Sequence, residues 1–203
     1  MERFKNIKSR AIPLPIDNID TDQIIPARYL KAINREDFGS KLFYDWRFNE
    51  KGEPNNSFVL NNPVFSGFIL IAGKNFGCGS SREHAAWALH DYGFKVIIAS
   101  SFADIFKSNA LNNGLLTIEL PAEIVNFLLA ITTAKPQSGL IVNLHNQSIS
   151  IEDRKFSTSF IINEFHKECL LKGFDSIDYL INLRSKTELF ERNRMNKLEY
   201  IFA

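Results

Sequence analysis

Short apolar runs alternate with amphipathic stretches through the middle of this chain. Phe68-Ile-Leu-Ile-Ala72 and Val96-Ile-Ile-Ala99 are apolar throughout and end at glycine or polar residues. Runs of that length between turn signals predict strands, here over 67–72, 94–99 and 114–119. Between them the period changes. Ala85, Ala88, Leu89 and Tyr92 recur at helical spacing, and helices are predicted over 81–92, 102–111 and 122–131. Gly93 and Gly114 stand where helices should end. Upstream, residues 1–16 predict an edge strand in which Pro13 and Pro15 stop regular pairing. Residues 17–22 form an acidic turn cluster, Asp17-Asn-Ile-Asp-Thr-Asp22, and 24–33 predict a short strand or helix broken at Pro26. Residues 34–63 are rich in Asn, Gly, Glu and Pro and carry Phe38, Phe43, Tyr44, Trp46 and Phe48. They read as a long loop region, a length usually associated with function. Downstream come a hairpin over 139–151, a helix over 160–172 stopped by Gly173, a last helix over 176–190 and a polar tail, 191–203, expected to fray. The pattern is that of one α/β domain, 1–203, with a mixed sheet, helices on its faces and a C-terminal helical extension.

Composition narrows the function. The 203 residues suffice for one sizeable core, and the net charge of +1 implies no polyanion partner. No apolar run approaches the roughly 18 residues of a membrane span, and the first residues lack a signal core. With two cysteines, Cys78 and Cys169, far apart in sequence, the expected compartment is the reducing cytoplasm. Two thiols are also too few for an iron–sulfur or zinc site held by this chain alone, so no metal is expected on it.

The chemistry concentrates in residues 75–92. Gly77 and Gly79 permit unusual backbone angles and close approach of a ligand. Ser80, Ser81 and Arg82 follow at the predicted helix start, where unpaired N–H groups and the dipole favour an anion. The fork of Arg82 suits a carboxylate. A Walker A lysine and a dinucleotide glycine pattern are both missing, so a small carboxylic acid fits better than a nucleotide. The same residues have a plainer reading, because Ser80-x-x-Glu83 is a capping box, and such boxes start many helices without chemistry. Asp20 and Asp22 fit an Asx turn and lack the offsets of a calcium loop. Phe38, Leu42, Phe43 and Trp46 suit either core packing or an apolar wall. Arg47 is placed to pair with Asp45, His84 reads as a structural histidine, Cys78 as passive and Cys169 as a buried helix residue.

Asn75-Phe-Gly-Cys-Gly-Ser-Ser-Arg-Glu-His-Ala-Ala-Trp-Ala-Leu89 resembles the signature of the aconitase-superfamily swivel domain. The chain is most similar to the small subunits of bacterial 3-isopropylmalate dehydratases. Asn18–Pro26, Phe38–Arg47, Asp91–Val96, Ser101–Phe106 and Asn112–Leu116 resemble that family's blocks, in order, between about residues 4 and 180. The family often has Thr-Gly where this chain has Glu36-Asp37. The resemblance implies a swivelling β/β/α-type domain that isomerises 2- and 3-isopropylmalate by removing and re-adding water, a step of leucine biosynthesis. It implies a heterodimer with a large subunit carrying a [4Fe–4S] cluster, whose open iron serves as Lewis acid, and a small hydroxy-dicarboxylic substrate. It assigns Ser80 as base, Gly79, Ser81, Arg82 and Arg35 to the substrate, and Thr21, Asp22, Phe38 and Trp46 to support. The alternatives are a subunit for a homoaconitate- or citraconate-type substrate, or a stand-alone carboxylate or phosphate sensor.

Overall fold

The computed structural model describes residues 1–30, 37–152 and 155–202, with backbone alone over 195–202. Two four-stranded sheets organise it. Strands β2 (Ala11–Leu14), β3 (Ile69–Ala72), β4 (Val96–Ala99) and β5 (Leu116–Glu119) form a parallel sheet in the order β2-β3-β4-β5. Strands β1 (Ile7–Ser9), β6 (Leu140–Asn143), β7 (Ser148–Ile151) and β8 (Ser157–Ser159) form an antiparallel one in the order β1-β6-β7-β8. The two strand senses expected of the sheet are thus segregated. Residues 1–16 supply not one strand but one to each sheet. Pro13 lies inside β2, opposite Ile71; it is tolerated because β2 is an edge strand with one side free of ladder bonds.

The apolar runs of the parallel strands are buried on both faces, which is why they read as continuous rather than alternating. Leu70, Ala72, Ile97 and Ala99 point into one core with α3 (Glu83–Tyr92) and α4 (Asp104–Asn112). Ile69, Ile71, Val96, Ile98, Leu116 and Ile118 point into a second core. There they meet α5 (Ala122–Ala134) and the inward face of the antiparallel sheet, Leu140, Val142, Ile149 and Ile151. Gly93, at φ 114°, closes α3, as its position in the sequence predicts.

The region expected as a long loop is largely folded. Its described part holds 3-10 turns at Phe38–Lys41 and Val59–Asn61 and a short helix, α2 (Tyr44–Arg47). Burial of Phe38, Leu42 and Phe43 anchors it. Gly39 lies against α3 so closely that a Cβ there would come within 2.7 Å of the Asp91 carbonyl carbon. Asp37 adopts φ 68°, a left-handed backbone that favours glycine. Upstream, the turn over 17–22 leads into α1 (Thr21–Ile24), capped by Asp20, and the short helix expected within 24–33 is a 3-10 helix at Ala27–Tyr29, directly after Pro26. Downstream, the helix expected from Phe160 starts later, as α6 (Glu164–Lys172), because residues 157–159 are used by β8 and Phe160 is buried in the second core. The last helix divides into α7 (Ser176–Asn182) and α8 (Arg184–Phe202), so helix continues through most of the polar tail.

Candidate active site

The carboxyl ends of the parallel strands define one edge of the domain, the place where open α/β sheets bind ligands. Two loops leave there side by side, 15–20 after β2 and 73–82 after β3. Backbone bonds stitch them together. Asn18 N–H donates to Lys74 (2.8 Å), Gly77 N–H to Ile19 (2.7 Å) and Thr21 N–H to Cys78 (2.9 Å). The Asn75 amide donates to Asn18 Oδ1 at 2.9 Å, and the Asn75 N–H to the Ser101 hydroxyl at 2.8 Å, which adds the end of β4.

Gly77 is forced by both angle and space. Its φ is 77°, and a Cβ would sit 2.2 Å from Phe106 Cγ. Gly79, at φ 89°, has room and is exposed, so its requirement is conformational. Together they turn the chain so that Gly79, Ser80 and Ser81 stand in solvent at the edge.

The capping box is not formed. Helix α3 starts two residues later than Ser80 predicts, with Arg82 as its N-cap residue and no side-chain cap. Two contacts hold the turn out of the helix. The buried Thr21 hydroxyl donates to the Ser80 carbonyl at 2.9 Å. Glu83 accepts from the Asn113 amide at 2.9 Å. Among the described residues the Ser80 and Ser81 hydroxyls make no hydrogen bond. Uncapped N–H groups of α3 and two unused hydroxyls are therefore presented together, and that combination can receive a carboxylate.

Arg82 is mostly covered, with its side chain 17% exposed, and pairs with Asp22 in the first turn of α1. The acidic cluster so divides its labour. Asp17 accepts from Lys74 N–H at 2.8 Å, Asp20 and Gln23 form a capping box, and Asp22 holds the guanidinium. The Asp-x-x-Gln spacing over 20–23 is a capping signal visible in the sequence, and it accounts for Asp20 better than the Asx turn does.

Of the residues singled out in the sequence, Thr21, Asp22, Gly79, Ser80, Ser81 and Arg82 come together. Phe38 is buried and packs edge-on to His84, 5.4 Å between ring centres. Trp46 lies elsewhere, stacked on Phe43 at 5.3 Å. Arg35 lies outside the described residues. Arg47 does not pair with Asp45. It donates to Asn61 Oδ1 (3.1 Å) and to the Leu42 carbonyl (3.3 Å), while Arg28 takes Asp45 and holds that carboxyl below its usual range. Cys78 Sγ reaches the Asn18 carbonyl at 3.4 Å. Cys169 is buried in α6, and burial pushes its thiol up. Among the described residues no three His, Cys, Asp or Glu side chains gather as metal ligands.

Residues 1–123 match the model of the aconitase C-terminal domain family. That match defines the class, an aconitase-type C-terminal domain. The chain is 53% identical over 192 residues to the 3-isopropylmalate dehydratase small subunit of Cytophaga hutchinsonii, covering 95% of this chain and 96% of the relative. It is 51% identical over 195 residues to that of Karelsulcia muelleri, covering 96% and 99%. A crystal structure of 3-isopropylmalate dehydratase (leuD) from Methanocaldococcus jannaschii superposes with a TM-score of 0.62 at 29% identity, over 94% of this chain and 99% of that one. The chain belongs to the family of 3-isopropylmalate dehydratase small subunits.

Proposed function

We propose that this chain supplies the proton-transfer half of a hydro-lyase that interconverts 2- and 3-isopropylmalate in leucine biosynthesis. The other half, with its [4Fe–4S] cluster, belongs to a large subunit. When bound there, the cluster supplies Lewis-acid chemistry for departure of the hydroxyl.

The observation that carries the reading is the uncapped Gly79-Ser80-Ser81-Arg82 turn at the carboxyl edge of the parallel sheet. Removing a proton from a carbon next to a carboxylate builds a second negative charge on that carboxylate. Arg82 and the free N–H groups of α3 oppose that charge, and Ser81 with Gly79 N–H completes the grip on the diacid. Ser80 Oγ is the base. It takes up the proton and returns it at the neighbouring carbon when water adds back the other way round. A serine hydroxyl is a poor acid in water, so the same positive groups must lower its pKa. Thr21 fixes the Ser80 backbone, and Asp22 fixes the guanidinium. The family resemblance assigns Arg35 to a substrate carboxylate and Trp46 to a supporting role.

Exposure explains the need for a partner. In the lone chain Ser80 faces water, where electrostatic stabilisation is weak. A covering subunit excludes water and strengthens every contact in the site. Purified alone, the chain is expected to show no dehydratase turnover; mixed anaerobically with a reconstituted large subunit, it should turn over isopropylmalate. Turnover by the isolated chain contradicts the two-subunit reading. Failure of a competent pair to use isopropylmalate while using another hydroxy diacid moves the assignment to a related substrate.

A further inference from the structure

The sequence encodes a capping box that the fold declines to use, and the geometry points to Asn113 as the positioning residue that prevents it. This rests on the reading of Ser80 as the base. In the box, Ser80 Oγ accepts from the Glu83 N–H and the Glu83 carboxylate accepts from the Ser80 N–H. Both events are ruinous for the proposed chemistry. The first ties up the lone pairs of the base. The second lays a carboxylate across the anion seat.

Asn113 sits at the end of α4 as its C-cap residue. Its amide orientation is fixed by its neighbours. Oδ1 accepts from Trp87 Nε1 at 3.0 Å, which turns Nδ2 towards the Asn109 carbonyl (2.8 Å) and Glu83 Oε1 (2.9 Å). Glu83 and Trp87 are four residues apart on α3 and share that face. One side chain thus reads two positions of α3 and draws the carboxylate of Glu83 sideways, towards α4. From the opposite side, Thr21 takes the Ser80 carbonyl, the group that would accept the first intrahelical bond if Ser80 were the N-cap. Two clamps from outside the helix therefore delay its start and leave the hydroxyl unspent. The cost is an unmade cap, a local penalty of the kind stored at functional sites.

The test uses Asn113→Asp, which keeps the acceptor for Trp87 but replaces the donor with an oxygen that repels Glu83. In the isolated chain, amide hydrogen exchange at residues 80 and 83 should slow as the box forms. In the pair with the large subunit, kcat/KM for isopropylmalate should fall by about tenfold or more. Adding Glu83→Gln removes the competing carboxylate and restores a donor towards the carboxylate introduced at position 113, so the double variant should recover to within about threefold of the parent. Asn113→Ala releases Glu83 without repulsion and serves if the aspartate variant does not fold. Unchanged exchange and unchanged kcat/KM in either folded variant overturn the inference, as does a loss of activity that Glu83→Gln fails to relieve. If the parent pair does not act on isopropylmalate, the functional reading fails, and the exchange measurement still decides the role of Asn113.

Discussion

At the scale of single residues, the site turns on how two charges and one hydroxyl are held. Arg82 is covered and Asp22 half open, so their pair contributes little to folding and much to aim. Arg82→Lys keeps the charge and loses the fork. It should lower kcat/KM of the assembled enzyme by roughly a hundredfold. The same change should move the Tm of the isolated chain by no more than about 4 °C. A larger Tm loss with intact kcat/KM would make Arg82 a structural residue. Much of this site was legible in the sequence. The glycines, the serines and the arginine stand in one run, and their chemistry follows from residue type. The engagement of Asp22 with Arg82 and of Asn113 with Glu83 was not legible, because each joins residues 60 or 30 positions apart in different elements. The capping-box spacing misled for the same reason: local preference was outweighed by tertiary contacts.

Among the elements, the loop after β3 depends on α4. Phe106 occupies the space a side chain at 77 would need. Gly77→Ala should therefore cost about 3 kcal/mol or more in urea unfolding, through the collision and the positive φ together. A loss under about 1 kcal/mol would mean that α4 yields, and that the turn is less rigid than its packing implies. Helix α6 carries a different consequence. Burial, with Lys107 nearby, lowers the pKa of His166 from 6.5. The folded state thus favours the neutral ring. The stability this provides is full above the ordinary value and is lost as pH falls through the depressed one, because the unfolded chain takes up the proton first. Thermal melts at pH 7.5 and 5.5 should show a smaller drop for His166→Gln than for the parent; an equal drop would remove His166 as a source. Strands and helices in the middle of the chain were readable because their runs match one period. Residues 1–16 and 157–163 were not, since a three-residue strand carries too little pattern to register.

For the whole molecule, the fold explains how the Gly79–Arg82 turn, the proposed proton-transfer site, stands on a surface. One core supports the parallel sheet and α3 from behind, the other ties that sheet to the antiparallel one, and the edge where the strands end is left open. No described helix is long and apolar enough to cross a membrane. The class was readable from five sequence blocks in order, whereas the separation into two sheets depends on pairings that no local pattern specifies.

The proposed function requires the Ser80 oxygen, kept out of its cap and covered by a partner, to take the proton. The direct measurement is turnover by Ser80→Ala in the anaerobically reconstituted pair, monitoring the unsaturated diacid by ultraviolet absorbance. Loss of kcat by about a thousandfold, with assembly unchanged, is the predicted result. Retention of a tenth or more of the parent rate, roughly 1.4 kcal/mol or less off the barrier, would contradict it.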